Sequence, residues 1–141
     1  MHPAHYAFLS TLLSQPTAPF REQHVMAYAT AALAQHGVPY FFDPIGNIVV
    51  GASSKTEYRR LLREPGAEPL RVFIAHMDHP GFHGVRWLAP HVLRIRWHGG
   101  SPTKRLDGSR VWLSTADGWA GEGVLRKVQL HPKGHAIGTA E

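Results

Sequence analysis

The chain has 141 residues, 43% of them hydrophobic, with a formal charge of +5 and eleven histidines. That length suits one domain, or one small domain with part of another, and the apolar fraction excludes wholesale disorder. Without cysteine there are no disulfides or thiolate sites, so any metal must be held by His, Asp or Glu.

From the N-terminus, Tyr6, Leu9, Leu12 and Leu13 recur at helical spacing within His2 to Gln15, which predicts a helix with one face on a core. Pro16 to Pro19 interrupts it. Pro19 suits a first helical turn, so a second helix is expected from about Phe20 to His36, stopped by Gly37 and Pro39. Tyr40–Phe42 and Asn47–Val50 flank Asp43-Pro44-Ile45-Gly46 and read as a β-hairpin. Ser53 to Glu64 reads as a short helix or a loop, and Pro65 to Pro69 as turn material. Leu70 to Ala75 is apolar and partly β-branched and predicts a buried strand.

Beyond Phe82 the pattern becomes short strands between turn signals. Val92, Ile95 and Trp97 interleave with Arg94, Arg96 and His98; Val111–Leu113 and Gly123–Leu125 follow. Gly99 to Pro102 and Ala116 to Trp119 are the turns. This spacing predicts a small antiparallel barrel or sandwich. The last stretch, His131 to Glu141, shows no packing pattern and leaves the chain looking cut. Positive charge is spread over Arg59, Arg60 and Arg63, over Arg94 and Arg96, and over Lys104 and Arg105, with no basic run. That favours a mixed solvated surface and no specific nucleic-acid partner. No apolar run approaches the ~20 residues of a membrane span and no secretory pattern opens the chain, so a cytoplasmic location and no membrane partner are expected.

The candidate site is the end of the apolar run, His76-Met77-Asp78, before the break at Pro80-Gly81. In extended backbone His76 and Asp78 face the same side. His76 can be a metal ligand with Asp78 supporting it, or both can be polar residues at a strand end that meet water.

Taken together, Pro19-Phe20-Arg21-Glu22, Asp43-Pro44-Ile45-Gly46-Asn47, Ala75-His76-Met77-Asp78, Gly81-Phe82, Leu93–Arg96, Gly99-Gly100 and Leu106–Val111 resemble the dinuclear metallo-aminopeptidases of the glutamyl-aminopeptidase and TET type. The resemblance implies a mixed αβ catalytic part over 1–82 and a dimerisation-type β-barrel insertion over 83–141, incomplete here. It implies His76 as the first metal ligand and Asp78 as the catalytic-site carboxylate that orients it. It also implies two divalent ions, zinc or cobalt, a peptide substrate, and a homo-oligomer formed through residues 83–141. His79-Pro80 departs from the family, which has an acidic and an aliphatic residue there; His79 reads as a pocket-rim residue. The family's remaining ligands and its general base find no counterpart after residue 82. Asp107, Asp117 and Glu122 fall at turn-like positions in the barrel and read as structural, so this chain alone is expected to be inactive. Two other classes stay open. One is a non-catalytic oligomerisation module. The other is a nucleic-acid-binding barrel using Trp87, Trp97, Trp112 and Trp119, although these tryptophans also suit a barrel interior and its interface.

Overall fold

A computed structural model describes residues 2–64, 66, 69–100, 106–131 and 137–141. Helices and antiparallel sheets build the chain, and among the described residues no sheet closes into a barrel. Two compact units share it: Met1–Leu13 with Val25–His76, and Ser14–His24 with Met77–Glu141.

In the first unit, α1 (Pro3–Leu13) carries no buried residue. Tyr6 and Leu13, expected on a core, are exposed. Phe8, from outside that stripe, makes the ring contact instead, 5.6 Å from Tyr28 of α2 (Gln23–Gln35). The expected helix start at Phe20 is not observed. Ala18 to Arg21 forms a turn in which the Arg21 amide donates to the Ala18 carbonyl at 2.8 Å. Phe20 sits there at φ +67°, a left-handed conformation that cannot continue a helix.

The hairpin forms as expected from β1 (Tyr40–Phe42) and β2 (Ile48–Val50). The Asp43 carboxylate accepts from the Ile45 and Asn47 amides at 2.9 Å each and from the Asn47 side chain at 2.8 Å. These bonds, the Asn47 side chain first, hold the Asp43 carboxyl below the usual range. Ser53 to Glu64 resolves as a helix, α3 (Lys55–Arg63). Ser54 Oγ caps it by accepting from the Glu57 amide, and Glu57 reaches back to the Ser53 amide, a reciprocal arrangement that satisfies otherwise orphaned donors.

Leu70 to Ala75 is not a strand. Phe73 and Ile74 are 92% and 94% exposed. The sequence expectation fails for a physical reason: β propensity does not hold a strand without a ladder. The only sheet described in this unit is β1–β2, whose strands pair with one another. Pro65, Ala67 and Glu68, part of the expected turn before this run, lie outside the described residues, as do Ser101 to Arg105 and Pro132 to Ala136.

The second unit contains β3 (Gly81–Ala89), β4 (Val92–His98), β5 (Arg110–Thr115), β6 (Gly118–Val124), β7 (Gln129–Leu130) and β8 (Ile137–Ala140). One sheet runs in the order β3-β4-β8-β7, and β5-β6 is a separate hairpin. The expected barrel is therefore an open sheet plus a ribbon among the described residues. Strand alternation sorts the residues of β4: Leu93, Ile95 and Trp97 to one face, and Arg94, Arg96 and His98 to the other. Ile95, Leu125 and Ala140 form the core, with Phe82, Leu93, Leu106, Val111 and Val128 packed on it. Leu125, 2% exposed, contributes about 1.5–3 kcal/mol by burial.

The C-terminal stretch expected to lack packing supplies β8, an inner strand between β4 and β7. Ala140 is 1% exposed, and Glu141 accepts from Arg94 at 2.6 Å and from Lys127 at 2.8 Å. Four short residues hide this strand in the sequence, because Ile137-Gly-Thr-Ala140 has one strong apolar side chain.

Candidate functional site

His76 is exposed and is the last residue of the first unit's long segment; Asp78 is half-buried and belongs to the second unit. His79 is exposed. The two residues that the motif unites thus fall into different units.

Within the second unit the run from Met77 to Gly81 is held at three points. Thr17 Oγ1 donates to the Met77 carbonyl at 3.4 Å. Pro80 packs on Gly99, where an added Cβ would come within 2.9 Å of the proline ring at a backbone φ of +107°. Ala18 seats on Gly81, where a Cβ would meet the alanine methyl at 3.0 Å. Two glycines therefore let the segment after His79 lie against its neighbours, and only glycine suits the backbone at residue 99.

Among the described residues no group of three or more His, Asp or Glu side chains could hold a metal ion. Zinc centres take three or four protein ligands, so the described residues do not fit a complete two-metal centre. The carboxylates set aside in the sequence have local partners. Asp107 accepts from the Val128 amide at 3.0 Å, and Glu122 pairs with Arg110 across the β5–β6 ribbon. Asp117 lies in the Thr115–Gly118 turn.

A Ser–His approach occurs at His24 and Ser114, 3.4 Å apart. His24 Nε2 also lies 2.8 Å from the Thr115 carbonyl. A carbonyl only accepts, so Nε2 carries the proton and cannot take one from Ser114. The Ser114 hydroxyl donates to the Gly118 carbonyl at 3.1 Å, which makes this a turn brace rather than an activated nucleophile.

One histidine cluster was not anticipated from the sequence. His83 on β3 and His98 on β4 stack with ring centroids 4.0 Å apart. His83 Nε2 donates to the Pro19 carbonyl at 2.9 Å, and Phe20 meets the His98 ring edge-on at 6.5 Å. Desolvation first, then the nearby His83 and Arg96, hold His98 below the usual histidine range. The signal lay in hairpin register. A two-residue turn at Pro90-His91 joins β3 to β4, and two register shifts, between Trp87 and Ala89 and between Gly84 and Arg86, bring His83 opposite Arg96 and Gly81 opposite His98, so that both histidines share one face.

The tryptophans divide unequally. Trp97 is half-buried against Phe82 at 4.7 Å. Trp87 is exposed, and Trp112 and Trp119 are 71% and 69% exposed, so these three do not fill an interior. Trp112 and Ser114 share one face of β5, and Trp119 stands opposite Ser114. No family model matches the chain, and no curated protein or solved structure matches it either.

Proposed function

We propose that these residues are the N-terminal piece of a metal-dependent aminopeptidase, in which His76 is a metal ligand and Asp78 the carboxylate that supports it. The observation that carries this reading is Ala75-His76-Met77-Asp78 at the end of an apolar run, in the order helix, helix, hairpin, helix, motif, β-rich unit. The exposure of Leu70–Ala75 supports it as well. An apolar run with no ladder is what one strand of a larger sheet becomes without its neighbours. His79 then lies at the pocket rim. The other ligands and the general base would come from chain outside these residues. When present, the two zinc or cobalt ions would polarise the scissile carbonyl of a peptide and activate water. His76 would donate its free ring N–H to a carboxylate, which fixes the tautomer and strengthens the ligand.

In this reading residues 83–141 carry the contact between copies. The exposed Trp112 and Trp119 on one ribbon face support that, because exposed aromatic patches mark interfaces. The same observation favours a second reading, a non-catalytic oligomerisation module in a cytoplasmic protein. The two are separated by assaying release of N-terminal residues from amino-acid anilides with added Zn²⁺ or Co²⁺. The 141-residue chain should show no turnover. The complete gene product should show turnover that His76→Ala abolishes together with metal occupancy, while Asp78→Asn lowers the rate more than the occupancy. An inactive, metal-free complete product that still self-associates would establish the module instead.

A further inference from the structure

We propose that the stacked His83–His98 pair is a proton-operated latch, which holds the Ser14–His24 segment on the end of the β3–β4 hairpin at neutral pH and releases it when both rings become charged. The segment is the only part of the second unit that precedes Met77. Its Ala18–Phe20 turn touches the hairpin at the pair, while Thr17 and His24 hold the segment's two ends on the Met77 and Thr115 carbonyls. Ala18 sits on Gly81, the Pro19 carbonyl accepts from His83 Nε2, and the Phe20 ring lies perpendicular to His98 at 6.5 Å.

The chemistry follows from which atoms are free to titrate. The bond to Pro19 fixes the proton on His83 Nε2, so His83 gains its charge at Nδ1 and keeps the bond. His98 has no such compensation. Its ring stacks on His83 and carries a Phe20 edge, and its backbone lies on the face that also presents Arg96. Two imidazolium rings at 4.0 Å centroid separation repel one another, and Arg96 adds a third positive charge. The segment also carries Arg21 and Glu22, and Asp78 and His79 precede β3. Glu22 Oε1 is engaged by the Phe20 amide at 2.8 Å. From β8 the residue opposite Arg96 is the neutral Thr139.

The segment is also poised to leave. Phe20 holds a left-handed φ of +67°, a conformation that a non-glycine residue disfavours. Pro19 followed by a left-handed residue is the pattern of a type II turn, where glycine is normal at the third position. A phenylalanine is retained there against its backbone preference, and its ring contact is with His98. Repulsion between the charged rings therefore acts on the ring that Phe20 contacts.

The test is carried out on the intact chain. Imidazole titrations by NMR give the protonation of His83 and His98, and amide hydrogen exchange at Arg21 reads the segment. Exchange, corrected for its intrinsic pH dependence, should show Arg21 protection falling by about tenfold or more between about pH 7.5 and about pH 5. Protection at Ile95 in the core should stay nearly level. His98→Gln keeps a ring-sized polar side chain without a charge and should remove most of the Arg21 effect. Arg21 protection that is level with pH, or that falls equally in His98→Gln, overturns the latch. If that variant does not fold, the wild-type titration decides. Two independent single-site curves at the value of free histidine overturn the proposal, and mutually displaced curves that coincide with the loss of Arg21 protection support it.

Discussion

The less apolar of two stretches is the one that is buried. Leu93 to Trp97 becomes an inner part of a sheet, while Leu70 to Ala75, with five apolar residues of six, joins no strand and is exposed. The difference is not propensity. β4 has β3 on one side and β8 on the other, so its backbone groups are paired and Ile95 meets Leu125 and Ala140. The Leu70 run has the side chains of a strand and no ladder to enter. Burial in a sheet is thus a property of neighbours, and an apolar run specifies a strand only when the rest of the sheet is in the same folding unit.

Core truncation should show this contrast most strongly. Leu125→Ala is expected to cost about 2–5 kcal/mol in denaturant unfolding, whereas Phe73→Ala should fall within about 0.5 kcal/mol of wild type. A Phe73→Ala loss comparable to that of Leu125→Ala would mean that the run is buried after all. Gly99→Ala comes next. It forces a left-handed residue and a methyl into the Pro80 ring, for an expected loss of about 1–3 kcal/mol, while alanine at Gly100 has open space and should cost little.

Smaller still is the acid response of the C-terminal strand. Lys127, then Arg94, hold the Glu141 carboxyl below the usual glutamate range. A lowered folded value means that this stabilisation is present above the unfolded glutamate range and is lost as pH falls through the folded value. The wild-type unfolding midpoint should therefore drop more steeply between about pH 5 and about pH 3 than that of Glu141→Gln. Parallel curves would show that the ion pairs contribute nothing to the fold.

Legibility from the sequence followed the same division. The β1–β2 hairpin could be read because Asp43, Pro44, Gly46 and Asn47 fix it locally. α3 was ambiguous because its helical signal rests on a cap at Ser54 and a thin apolar stripe of Tyr58, Leu61 and Leu62. β8 was invisible, since four residues with one strong apolar side chain become a strand only through β4 and β7. The Phe20 helix start was misread because proline suits both a first helical turn and a tight turn, and Glu22, which would suit a helix N-terminus, instead accepts from the Phe20 amide within the turn. His76 and Asp78 were legible as a motif, but chain separation of two residues does not say which unit each will join. The His83–His98 pair needed strand register, which the Pro90-His91 turn alone does not give, because two register shifts between Gly84 and Ala89 move the pairing by two residues.

Amide hydrogen exchange on the 141-residue chain tests the central contrast directly, residue by residue. The account predicts near-intrinsic exchange from Val72 to Ala75, with Leu93, Ile95 and the paired amides of the β5–β6 ribbon protected by roughly the full unfolding free energy. Protection at Phe73 and Ile74 equal to that at Ile95 would contradict it, because these residues would then already have a ladder.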